Sequence, residues 1–235
     1  MSDNQPGAHG QPGQPGAPAT TQDGKGGIGG IGGIGGSRRT IAVVIGALVV
    51  VGAAIGGFFL VGPGAGTEYK MTTPKTLAGE YERDGKGEKG DGKAFGNKKV
   101  PGMKSSADVS AEYKAGTTKK LQLGGAYGTV ENPEKAVDWV FEQTDKSLKT
   151  ETGAKAEGKP KKFTPSGFDG DVLKCQEYKI SSMSLAMCGW SDASTVGTVS
   201  SMNMTSDGTS TLPVDLKKSA EVAAKVRKDA LVEAG

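Results

Sequence analysis

Apolar positions recur at helical spacing in two stretches of the chain and alternate in several others. In "NPEKAVDWVFEQTDKSLK" (132–149), Val137, Val140, Phe141, Thr144 and Leu148 fall on one face of a helix. Asn132 stands where a cap is needed, Pro133 takes the first helical position and Glu134 the first turn. A second helix is predicted from Pro213 onward. Its stripe is Leu216, Ala220, Ala223, Val226 and Ala230, and Lys217, Lys218, Glu221, Lys225 and Lys228 face water. Strand signals lie between and before the helices. "KKLQLGGAYGTV" (119–130) carries Leu121, Leu123 and Tyr127, and its glycine pair suggests a bulge. "STVGTVSSMNM" (194–204) alternates Val196, Thr198, Met202 and Met204 toward one side.

The densest alternation surrounds the two cysteines, in residues 172–191. Folded back around Ser181 and Ser182, this stretch places Cys175 directly opposite Cys188 and Leu173 opposite Trp190. On the other side Tyr178 meets Leu185 and Ile180 meets Met183. The elements so far run strand, helix, three strands, helix. The fold class expected is α+β, an antiparallel sheet with two helices packed on one face. Two stretches, 82–106 and 149–162, mix glycine with charges of both signs and are expected to be mobile excursions.

A different pattern precedes this domain. From Ile41 to Val61 no charged or strongly polar side chain occurs, and as a helix this run would be about 31 Å long, close to the thickness of a bilayer core. It is longer than the apolar stretch of a signal peptide, and Gly62-Pro63-Gly64 would end it. One transmembrane helix is therefore predicted within residues 38–63. Arg38 and Arg39, with Lys25, favour an N-terminus in the cytoplasm and residues 64–235 outside it. The expected location is the plasma membrane, with the lipid bilayer as a partner. Gly52 and Gly56 form a GxxxG that would let two such helices approach as a homodimer; a glycine-rich helix with no partner is the competing reading. Residues 1–37, rich in glycine and proline, are too poor in apolar side chains to order themselves and are expected to be a disordered cytoplasmic tail.

An exported domain changes what the cysteines mean. CxxC spacing is absent, and a zinc site cannot be assembled because the single histidine is His9, in the tail. A structural disulfide between Cys175 and Cys188 is the expectation, worth about 3 kcal/mol by loop closure; a redox-active pair and free thiols are the alternatives.

Charge and motifs exclude more than they assign. The 29 basic and 26 acidic residues leave a formal charge of +3, so no nucleic-acid footprint is expected. "GIGGIG" (27–32) lacks the flanking strand and helix of a dinucleotide fingerprint. Gly87, Gly92 and Lys93 fit the start of a P-loop, but Ala94 replaces the hydroxyl that would hold magnesium. Neither metal nor cofactor is expected. In "CGWSDAST" (188–195), Trp190, Asp192, Ser194 and Thr195 form a binding or turn cluster, and with no histidine nearby there is no evident base to activate a hydroxyl.

Several of these stretches together resemble a known group. "SRRT" leading into the apolar run, "TPKTLAGEY", "GAYGTVENPEKAVD" and "LKC…CGWSDASTVGTV" are similar to uncharacterised actinobacterial single-pass, membrane-anchored proteins. The similarity covers the whole chain, and CGWxDxST is its most specific part. It implies topology and a disulfide, and no activity. The function expected is a membrane protein presenting a non-catalytic, disulfide-stapled domain that binds or senses an envelope ligand or partner protein. The alternatives are a serine-type hydrolase lacking histidine, with Ser194 served by a lysine, and an inert structural envelope protein.

Overall fold

The computed structural model describes residues 68–90, 95 and 98–234. In chain order the strands are β1 (Tyr69–Met71), β2 (Thr76–Leu77), β3 (Tyr81–Gly90), β4 (Met103–Ala115) and β5 (Lys119–Val130). Helix α1 (Pro133–Thr152) follows, then β6 (Lys155–Lys162), β7 (Val172–Ile180), β8 (Met183–Ser191) and β9 (Thr195–Asn203). Helix α2 (Leu216–Ala230) and β10 (Leu231–Glu233) close the chain. Eight strands make one antiparallel sheet in the order β2-β3-β4-β5-β9-β8-β7-β6, while β1 and β10 pair separately.

Helix α1 starts and stops where its end residues dictate. Asn132 is extended, and its side chain accepts a hydrogen bond from Lys135 N at 2.9 Å. Gly153 takes the left-handed conformation at φ 68°, and its N–H reaches the carbonyls of Leu148 and Lys149. Helix α2 is capped by Asp215, whose carboxylate accepts from the backbone of Lys217 and Lys218.

The β7–β8 hairpin has the register read from the sequence. Cys175 pairs with Cys188, Leu173 with Trp190, Tyr178 with Leu185 and Ile180 with Met183. Strand β9 adds alongside β8, with Trp190 opposite Gly197. Gly124 and Gly125 do not form a bulge: both stay in register with β4 and with β9. Their smallness serves another purpose. A Cβ on Gly125 would come within 2.6 Å of the Met71 sulfur, so the glycine lets β1 lie close on the sheet.

Three expectations are corrected here. The helices do not share a face. Val137, Val140 and Phe141 of α1 pack with Val172, Tyr178, Leu185 and Met187, while Ala220, Ala223 and Val226 of α2 pack with Leu173, Cys175, Cys188 and Trp190. These strand residues alternate, so they point to opposite sides of the sheet. Strands β7 and β8 are buried on both sides and need a layer on each. The second correction concerns the stretches expected to be mobile. Residues 82–106 hold most of β3 and the start of β4, and 149–162 hold the end of α1 and all of β6. Ladder hydrogen bonds to one neighbour hold β6 at the sheet edge without any need for an apolar face.

The third correction is the membrane architecture. Among the described residues no helix is long and apolar enough to cross a membrane. Helix α1 has 20 residues, but Asp138, Glu142, Asp145 and Lys146 lie along it, and its apolar face is spent on the sheet. The transmembrane architecture and the plasma-membrane location expected from the sequence thus find no span in these helices. Ile41–Val61, the GxxxG residues Gly52 and Gly56, and the tail 1–37 lie outside the described residues.

Candidate functional site

The two cysteines are joined in a disulfide across β7 and β8. It lies under α2, and both residues are at most 1% exposed. Thiol exchange needs an approachable sulfur, so the position suits a staple rather than a reactive pair.

The "CGWSDAST" residues come together just beyond the hairpin. Trp190 is fully buried, with its indole flat against Gly197; a Cβ there would lie 2.1 Å from Trp190 Cζ2. The Asp192 carboxylate collects the turn. Its Oδ1 accepts from Ser194 N and Thr195 N, each at 2.8 Å, and from Ser194 Oγ at 3.0 Å. Its Oδ2 accepts from Thr195 Oγ1 at 2.6 Å and from Arg227 Nη2 of α2 at 2.7 Å. Burial pushes the Asp192 pKa up, but the hydrogen bonds from Thr195, Arg227 and Ser194 outweigh it and hold the carboxyl below the ordinary aspartate value. Arg227 is only 3% exposed, also binds Asp169, and lies 5.5 Å from the Phe168 ring centre.

This geometry does not prepare Ser194 for catalysis. Its Oγ donates to Asp192 and accepts from Tyr69 N at 3.1 Å, which ties the turn to β1. No lysine amine is among its hydrogen-bond partners. The cluster instead fastens the β8–β9 turn to α2 and to the first strand. Arg227 was missed from sequence because it reads as one more basic residue of a Lys-rich helix. The available signal was its place beside Val226, four residues after Ala223 and three before Ala230, on the buried stripe.

A second group of polar residues lies on the α1 face, away from the disulfide. Asp84, Glu112, Gln122 and Ser200 are successive cross-strand partners on β3, β4, β5 and β9 and so share a face. Lys120, two residues before Gln122, shares it too. A groove of about 410 Å³ opens here, lined in part by Asp84, Glu112, Lys114 and Lys120. A second, of about 350 Å³, adjoins it through Thr117 and Lys120 and reaches Thr205 and Asp207.

Most charges around the groove are neutralised. Lys114 meets Asp84 at 3.1 Å and Lys119 meets Glu80 at 2.6 Å. Glu112 and Lys120 are paired neither with each other nor with another described residue. Gln122, the cross-strand partner of Glu112 but not part of the groove's lining, is only 3% exposed and its Oε1 has no hydrogen-bond partner. A buried carbonyl without a donor costs about 1–3 kcal/mol, so its retention needs a reason. No metal-holding group of His, Cys, Asp or Glu occurs among the described residues. None of these groove residues was singled out by sequence, where "AEYKAGTTKKLQL" reads as an ordinary amphipathic hairpin.

Comparison with protein-family models, with curated proteins and with solved structures finds no match.

Proposed function

We propose that residues 68–234 form a non-catalytic binding domain whose ligand site is the polar groove on the α1 face of β3, β4 and β5. The observation that carries this reading is the open groove of about 410 Å³ itself, whose lining includes Glu112 and Lys120, both without ion-pair partners among the described residues. A ligand carrying charges of both signs would pair with both at once. The sheet supplies a rigid base, since Gln122 and Glu112 lie on interior strands paired on both sides. The stapled hairpin and the Asp192–Arg227 lock hold the opposite half of the same sheet.

Native mass spectrometry of the full chain after exposure to a metabolite extract tests this, run beside the Glu112→Gln/Lys120→Met double variant. A small molecule retained by the parent and lost from the variant is the expected result. Identical spectra for the two proteins would remove the groove from consideration.

A further inference from the structure

We infer that Met204 is an oxidation site built into the groove wall, where peroxide converts its thioether to a sulfoxide and the sulfoxide lowers ligand retention. Only the effect on retention rests on the binding reading above. Burial singles this residue out. Met71, Met103, Met183, Met187 and Met202 are each at most 9% exposed. Met204 is half-buried and lines the second groove, the one that adjoins the first through Thr117 and Lys120. Methionine oxidation follows the exposure of the sulfur, so the open groove offers peroxide this side chain ahead of the other five.

The backbone keeps the residue in place. Met204 follows directly on β9, its N–H donates to Thr118 O at 2.8 Å, and it bridges to Thr211. It packs against the apolar cluster on the α1 face and also forms part of the groove wall. In the reaction a sulfur lone pair attacks one peroxide oxygen, the O–O bond breaks and an S–O bond forms. The sulfur gives up two electrons, and the second oxygen takes both protons and leaves as water. A flexible apolar side chain thereby becomes a polar one. The new oxygen is an acceptor in a wall shared with Lys120, which has no ion-pair partner among the described residues. It competes there with the anionic part of a ligand. A dithiol-dependent sulfoxide reductase reverses the change, the oxygen leaving as water while the dithiol becomes a disulfide.

The test treats the full chain with dilute hydrogen peroxide and maps it by peptide mass spectrometry. A gain of about 16 Da, one oxygen, is expected at Met204 about tenfold faster than at any of the five buried methionines. Oxidation of Met103 or Met183 at the same rate as Met204 would overturn the site. Retention is then read by native mass spectrometry after exposure to the metabolite extract. The treated parent should keep about tenfold less of the groove-dependent molecule than the untreated parent, and sulfoxide reductase with dithiothreitol should restore it. Met204→Leu should retain equal amounts before and after peroxide. Undiminished retention by the treated parent, or an equal loss from Met204→Leu, would overturn the effect on the ligand. If the untreated parent retains no groove-dependent molecule, the binding reading fails and takes that effect with it, while the peptide map still decides the oxidation site.

Discussion

Gln122 is an interior residue whose environment serves stability poorly. Its Oε1 is buried on the α1 face without a donor, while Gln176 on the same cross-strand row binds Gly158 O and accepts from Tyr178. Gln122→Met keeps the volume and removes the unsatisfied acceptor. It should stabilise the protein by about 1 kcal/mol in urea unfolding. A loss of stability would show that the amide has a structural partner instead. Asp192 behaves in the opposite way. Removing its charge leaves buried Arg227 with only the exposed Asp169 as a charged partner, so Asp192→Asn should cost about 3 kcal/mol at pH 7, measured by urea unfolding. Its native pKa lies below that of the unfolded chain, near 3.9. The stabilisation is complete above about pH 4 and is lost as pH falls through that value toward the native pKa. Unfolding of the variant should therefore depend less on acid than unfolding of the parent. Asp192 could be noticed in sequence because it sits among hydroxyls, and Arg227 only through its place on the buried stripe of α2; Gln122 could not, since in its strand nothing local tells a buried polar side chain from an exposed one.

Among elements, the β7–β8 hairpin was the most legible, because alternation on both faces and two opposed cysteines agree on one register. Replacing both cysteines by serine should lower stability by about 3 kcal/mol, with the equilibrium monitored by chemical denaturation under oxidising conditions. A cost near zero would mean that the reduced hairpin is already ordered in the unfolded ensemble. Gly197→Ala should cost at least as much, since the new methyl group would displace the Trp190 indole. Strands β3 and β6 were hidden for a physical reason. Every residue of β6 but one is exposed, and the strand carries Lys155, Lys159, Lys161 and Lys162, the composition that keeps a sheet edge from pairing with another chain. Hydrophobic periodicity reports burial, and an edge strand has little of it. The caps of α1 were readable because Asn132, Pro133 and Gly153 act through their own backbone preferences.

At the scale of the molecule, the sheet is covered by α1 on one face and α2 on the other, an arrangement sequence could not assign. Each helix has one apolar stripe, and nothing in a stripe says which face of the sheet receives it. Trp139 lies on the α1 side and Trp190 on the α2 side, so two single-tryptophan variants can report the layers separately. They should lose fluorescence at the same urea concentration, because both helices depend on the same central strands. Distinct midpoints would mean that one layer peels away first. The pairing of β1 with β10 has a mechanical consequence. Tyr69 faces Glu233, then Lys70 faces Val232 and Met71 faces Leu231, so the outer ends of both strands meet. Tension applied between the flanking segments would open these pairs one after another, like a zip, instead of shearing all three together. The first yield under a pull on the chain ends would be gentle and confined to this ribbon, with the eight-stranded sheet still intact behind it.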